Sequence, residues 1–434
     1  MSQQAPHPQP SLAPMAHAGA ATTQGAQLVH QADSRQPAAD FGEDVPRLLN
    51  RLQVAAVALC VLFGVLAALF QVLSWQANGR AADNTEQVVR VQEIQTSLLR
   101  ADAIATTAFL VGGLEPPEAR AAYDAAVDDV LRLITDAADA QPADRQVLAD
   151  LNVEVRTYTT AVAQARDYNR QNLVIGIAYL NSAGDALRSD ALPIVQALVD
   201  ANSERAVDEM DGQSPILLLI VGVLAVGGLV LVNREISRRF HRRVNVGVVG
   251  AAAGIGLLTL VIAVHAGTRS SANADTRDGA YDTAVSEASA RTAANDAKAQ
   301  ESQGLINRGS GAEYEELFAV AAETVEQNAS PATLRLWRDY VVEHQEVRDL
   351  DDRGNWDDAV ALATSSDAGD PTAALDAVDA AAEQVVTDAA DQAADSFGSG
   401  GVVALALAVL TLLGGLVAAA AATWGINQRR REYS

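Results

Sequence analysis

The side chains able to do chemistry are few and far apart. Six histidines occur, at His7, His17, His30, His241, His265 and His344, and no two lie within four residues of each other. A metal centre or an acid–base pair needs several such groups brought together, so each histidine reads as a solvated or packed singleton, His344 alone on an outer helix. Cys60 is the only cysteine and sits inside an apolar run, where it can form no intrachain disulfide. The acid pairs Asp351-Asp352 and Asp357-Asp358 are adjacent, and neighbours on a helix diverge by about 100°, which predicts that they share no site. No G-x-x-x-x-G-K-[ST] loop, G-x-S-x-G elbow, H-E-x-x-H or pair of C-x-x-C motifs is present. We assign no catalytic residue, no metal ligand and no cofactor, and expect no enzyme.

The elements that would have to position such groups are of another kind. Of 434 residues 49% are apolar, concentrated in four blocks free of Asp, Glu, Lys and Arg at 54–75, 215–232, 244–266 and 401–426. Each approaches or exceeds the ~20 residues a helix needs to cross ~30 Å of hydrocarbon, and reads as a transmembrane helix. About 50 polar residues precede the first block without a short basic leader, so it reads as a retained span and not as a cleaved signal. Charge-free spans also argue against an ion or proton path.

Arginine sets the expected orientation. Thirty of the 31 basic residues are Arg, Lys298 being the only lysine, and the loop 233–243 holds five: Arg234, Arg238, Arg239, Arg242 and Arg243. Arg47 and Arg51 precede the first span, and Arg429, Arg430 and Arg431 follow the last. The positive-inside rule places the tail 1–45, this loop and the C-terminal 427–434 in the cytoplasm, giving a multi-pass plasma-membrane protein with both termini inside. Segments 76–214 and 267–400 then lie outside, carrying 22 acidic against 11 basic residues and 27 against 9. A net charge of -24 excludes a nucleic-acid partner, which needs clustered Lys and Arg. The Pro/Gln-rich tail has the composition of a disordered segment.

The two outer segments look like one object repeated. At an offset of 182, Tyr158, Arg166-Asp167, Asn172 and Leu180 fall on Tyr340, Arg348-Asp349, Gly354 and Leu362; nearer the start, an offset of 194 sets Asp102 on Asp296. We read an internal duplication. Each copy shows turn signals between helical stretches and no alternating pattern. The fold class expected is therefore an all-α membrane protein with four transmembrane helices and two extracytoplasmic four-helix bundles. In the first copy, helices run to about Val111, from about Glu118 to Ala140, to about Tyr168 and over a short Leu173–Ser182, with a turn at Gly184-Asp185 before the return helix. Val127, Val130, Leu131 and Ile134 are spaced as a core stripe. The short extra helix caps each bundle, so Gly112, Gly113, Gly354 and Trp356 mark a distal surface for a ligand or protein. In the spans, Gly250 with Gly254 forms a G-x-x-x-G, and Gly414 with Ala418 and Gly415 with Ala419 are small-x-x-x-small pairs that predict close helix packing.

Each half resembles the ligand-sensing region of bacterial chemoreceptors, a membrane helix continuing into a four-helix bundle and returning, and Arg353-Gly354-Asn355-Trp356-Asp357-Asp358-Ala359 resembles their short capping helix. The signalling hairpin that chemoreceptors carry inside the cell is missing. The whole layout, with its acidic exterior, arginine-only inner loop and Pro/Gln tail, is similar to the GlnX family of four-span actinobacterial membrane proteins. That resemblance implies an extracytoplasmic amino-acid-binding lipoprotein as one partner and a cytoplasmic serine/threonine kinase, protein kinase G, as the other. No residue role is carried over from that family; our own reading of the residues is a signal relay in which the five loop arginines form the inner coupling surface. A chemoreceptor-type direct sensor of a small molecule and a structural scaffold for envelope proteins are the competing readings.

Overall fold

The computed structural model describes residues 45–432 apart from 112–114, 172–173 and 241–243, and no strand occurs among them. The chain from Leu49 onward forms one compact unit. Helix α1 (Val45–Leu110) runs 66 residues without interruption from the first apolar block into polar sequence. It stops where Val111 leads into the Gly-Gly and Pro-Pro dipeptides that cannot continue a helix. Helices α2 (Pro117–Ala140) and α3 (Arg145–Arg170) are separated by Gln141 and a 3-10 turn at Pro142–Asp144; α2 and that turn each open on a proline, the one position where a missing N–H costs nothing.

The expected turn at Gly184-Asp185 does not form. Helix α4 (Ile175–Ala186) passes through a π turn at Leu187–Ala191 into α5 (Leu192–Met210), and the Leu192 N–H reaches back to Leu187 O. An isolated glycine is tolerated inside a helix, and the wide turn lies immediately before Pro193, whose ring and missing N–H a regular turn would not accommodate. The second half does break at this point: α11 (Trp356–Thr364) is separated from α12 (Pro371–Gly398) by a loop in which Gly369 has φ +100° and Pro371 opens the next helix. The other helices are α6 (Pro215–Phe240), α7 (Val246–Thr276), joined through a π turn at Arg277–Tyr281 to α8 (Asp282–Ile306), then α9 (Gly311–Asn328), α10 (Pro331–Asp352) and α13 (Gly401–Glu432).

Two four-helix cores result. The first buries Ile94 and Leu98 of α1, Val130 and Ile134 of α2, Leu151 and Tyr158 of α3, and Val195 of α5. Leu131, expected in that stripe, faces outward at 42% exposure; Tyr123, Ala126, Val130, Ile134 and Ala137 are the buried face. The second core combines Ala294 and Ala297 of α8 with Phe318, Trp337, Tyr340, Leu375 and Val378. Helix α8 is buried almost all round from Ala284 to Ile306 because it packs against its own bundle on one side and α1 on the other. Its run of alanines allows that double contact.

Four stretches of helix are long and apolar enough to cross a membrane. Their shared core includes Cys60, Phe63, Leu229, Ile255, Ala422 and Ile426. The outgoing helices are continuous from span to bundle, whereas the returning ones break at the junction, before Pro215 and at Gly400, whose φ is +78°. Close crossing occurs at Gly415, where an added Cβ would lie 2.8 Å from Cys60 O and Gly64 Cα, and at Gly414, against Leu258. Gly250 and Gly254 behave otherwise: both face outward with nothing within 4 Å of an added Cβ. Gly247, one turn earlier, makes the close approach instead, meeting Gly425.

Candidate functional site

The two bundles meet along α1 and α8, and the contacts keep one register. Asn273 Nδ2 donates to Asn78 Oδ1 at 3.0 Å, Thr96 and Thr292 hydroxyls lie 2.8 Å apart, and Thr107 and Ser302 hydroxyls 2.9 Å apart. The partners differ by 195 or 196 positions, so the two helices run parallel, side by side. At the same level Arg188 of the π turn donates to Asp102 Oδ2 at 2.9 Å and to Asp296 Oδ1 at 2.7 Å. Asp102 is 1% exposed and also accepts from the Tyr158 hydroxyl at 3.3 Å. These two aspartates are the residues that the offset of 194 aligns, and one arginine joins them across the seam. Beside the seam opens a cleft of ≈ 640 Å³, lined by Arg100, Thr107, Asn295, Lys298, Leu375 and Asp376 among others. That volume and its mixed lining suit a small-molecule site.

Charged groups absent from any motif concentrate along α8 and the helices packed on it, and of these Arg100 and Lys298 line this cleft while Glu93, Arg291 and Glu383 line another of ≈ 440 Å³. Arg291 is 3% exposed and donates to Asp379 Oδ1 at 2.8 Å, to Glu93 at 2.5 Å and to Glu383 at 3.0 Å, while Arg100 reaches Asp379 Oδ2 at 2.6 Å. Lys298 donates to Glu301 and to Ala363 O, so the only lysine ties α8 to the end of α11. His344 is not alone: it is buried, its Nδ1 lies 2.8 Å from Glu301 Oε2, its Nε2 3.2 Å from Glu315, and its ring stacks on Phe318 at 3.6 Å. Burial pulls the His344 imidazole down, but the two glutamates raise it above its ordinary value. Glu301, which burial alone would push up, is held down to about 2 by Lys298 and His344. The readable signals were the spacings Lys298/Glu301 and Tyr340/His344, which place each pair on one helix face.

At the distal end, Phe109, Leu180, Leu305, Val347 and Ala359 form a cluster shared by both halves. Trp356 anchors α11 by donating its indole N–H to Leu305 O at 2.9 Å, under the Arg308 guanidinium at 3.6 Å from the ring centre. Gly354, at φ +82°, supplies the left-handed turn before it. Gly112 and Gly113 lie outside the described residues. Asp351 and Asp352, contrary to the expectation from their adjacency, converge on one group: they accept from the two terminal nitrogens of Arg348, each at 2.9 Å. Positions three and four residues on straddle the arginine one turn earlier, and its fork spans both.

At the opposite end, Arg234, Arg238 and Arg239 occupy the last turns of α6, beside a groove of ≈ 390 Å³ that includes Leu52 and Leu231. Glu235 is 2.5 Å from Arg239 and 4.0 Å from Arg238. Arg242 and Arg243 lie outside the described residues.

Residues 77–211, the segment that forms the first bundle, match the family model of the actinobacterial sensor domain. No curated protein and no solved structure matches the chain. The match supports a sensor protein of actinobacterial type and, with it, a sensing or signalling role.

Proposed function

We propose that this chain is a non-enzymatic transmembrane signal relay. Its two bundles lie outside the plasma membrane, both termini and the arginine loop inside, as the arginine distribution supports. The halves descend from one duplicated unit; the observation that carries the reading is the constant register of the α1–α8 seam, with aligned Asp102 and Asp296 on one Arg188. A duplicated unit would reproduce in one polypeptide the paired arrangement that a homodimeric sensor builds from two. Because α1 and α7–α8 run without a break from seam to span, a change in seam packing becomes a shift of the inner helix ends, on the order of 1–2 Å. The signal is amino-acid availability, delivered by a solute-binding lipoprotein docking on the distal caps, and the receiver is a cytoplasmic serine/threonine kinase that reads the arginine surface of α6 and its loop.

A direct small-molecule sensor is the second reading, favoured by the ≈ 640 Å³ cleft beside the seam. Co-purification in mild detergent separates the two. The relay expects a lipoprotein and a kinase to travel with the intact protein, with the kinase lost when Arg234, Arg238 and Arg239 become glutamine. Direct sensing expects calorimetric binding of an amino acid to the purified chain without a helper. Neither partner travelling and no ligand binding would leave only a scaffold.

A further inference from the structure

We propose that the distal end of the first bundle is a binding site for a small carboxylate. A cavity of ≈ 250 Å³ opens there between α1, α2 and α3, framed by Phe109, Glu115, Arg120, Arg166, Asn169 and Arg170. Three guanidinium groups around one small space are unexpected in a segment whose formal charge is 22 acidic against 11 basic residues.

Those arginines keep donors in reserve. Arg166, 8% exposed, lies over the Tyr123 ring at 4.0 Å and gives one terminal nitrogen to Glu115 at 2.9 Å. Arg120 binds Asp124 through Nε alone, at 3.0 and 2.9 Å, and Arg170 binds Asp167 through a single terminal nitrogen. Each fork therefore has further N–H groups to offer, and planar forks select carboxylates by paired hydrogen bonds.

The second half of the chain shows what this position binds. At the offset of 182, Arg166 falls on Arg348, and the aligned helices α3 and α10 end together at Arg170 and Asp352. Arg348 is saturated by the chain itself, with Asp351 and Asp352 at 2.9 Å and Glu315 at 3.4 Å. In the first half the positions of Asp351 and Asp352 are taken by Asn169 and Arg170. Two internal carboxylates have been exchanged for an amide and a cation, and a cavity lies beside the arginine they would neutralise. Glu115 already neutralises Arg166, as Glu315 does Arg348; a carboxylate from outside would take the remaining donors that Asp351 and Asp352 occupy in the second half. The volume lies below the ~300–1,000 Å³ of drug-sized sites, which points to a short metabolite bearing one or two carboxylates.

This inference deepens the sensing reading by naming a ligand chemistry, and it can be tested apart from the relay. The full chain in nanodiscs is titrated calorimetrically with acetate, succinate, glutarate and a set of α-amino acids, with inorganic phosphate as the non-carboxylate oxyanion. At least one carboxylate is expected to saturate at one per chain. The double variant Asn169→Asp/Arg170→Asp, which copies the second half, should weaken it at least tenfold with unchanged helicity and melting temperature, while Arg132→Gln elsewhere on α2 should not. If the double variant misfolds, Arg120→Gln serves in its place with the same expectation. No carboxylate binding, equal binding to the variant, or phosphate binding in preference would each overturn the proposal. Carboxylate binding to a chain with which neither lipoprotein nor kinase co-purifies would sink the relay and leave the site standing.

Discussion

At the scale of single residues, the second bundle holds an ionic network whose protonation is coupled to folding. His344 of α10 faces Glu301 and Lys298 of α8, Glu315 of α9, and Tyr340 and Arg348 of its own helix. A histidine raised above its ordinary value of ~6.5 stabilises the fold fully below that value, and the contribution is lost as pH rises through the folded-state pKa. Glu301 has the opposite sign: held at about 2, it contributes above the ordinary carboxylate range and loses that contribution as pH falls toward 2. The melting temperature of the purified protein should therefore decline over the window that opens at the ordinary histidine value of ~6.5 and extends upward as the pH rises. In His344→Gln it should be lower and flat over that window; an unchanged slope would show that another group titrates there. Arg291 gives a second residue-scale prediction. Replacing it with methionine removes one of the two arginines, Arg291 and Arg100, that hold buried Asp379 below its ordinary pKa against burial. Leaving a buried charge with no partner costs about 3–5 kcal/mol; with Arg100 and Asn295 still bonded to Asp379 the loss should fall below that range, and chemical denaturation of the full chain should report it.

At the scale of elements, the sequence carries helix and turn signals well and contact signals poorly. Gly-Gly, Pro-Pro, Gln-Pro and Gly-Asp-Pro end or start helices because glycine frees φ and proline fixes it and lacks an N–H, so α2 and α3 begin and end near the expected places and α12 opens at its proline. Gly184-Asp185 misled because a lone glycine without a proline at the break does not end a helix, and the π turn before Pro193 has no composition of its own. Which glycine faces which helix depends on rotation about the helix axis, and spacing does not encode it. Gly250 and Gly254 have the better motif, yet Gly415 and Gly64 make the close crossing. Gly415→Leu, meeting backbone at 2.8 Å, should therefore destabilise the four spans by about 1–3 kcal/mol, as overpacking does. Gly250→Leu should stay within about 0.5 kcal/mol. Detergent unfolding of the two variants side by side checks the contrast. Beyond the same-helix spacings Lys298/Glu301 and Tyr340/His344, the networks around Lys298 and Asp379 were illegible for a related reason: they join α8 to α1, α10 and α12 across more than 40 positions, and only the fold brings them together.

At the scale of the whole molecule, fusing two bundles in one chain frees them to differ. A homodimer must place the same residue on both sides of its axis, whereas here Arg188 alone serves both Asp102 and Asp296, and the distal arginine is open in one half and saturated in the other. A single asymmetric contact can then bias the seam. Arg188→Ala tests that. It leaves Asp102 buried with only the Tyr158 hydroxyl, at a cost of roughly 3 kcal/mol, and removes the one ion pair that holds the π turn of the first bundle against α8. Spin labels at Arg132→Cys on α2 and Glu323→Cys on α9, in a Cys60→Ser background, report the distance between bundles. We expect a single narrow distribution in the parent and a broadened or displaced one in Arg188→Ala, with a parallel change between labels at Arg51→Cys and Arg234→Cys near the other end of the spans. A displacement confined to the bundles would mean that α1 and α7–α8 do not transmit it, and the continuous helices would then be supports and not conductors of the signal.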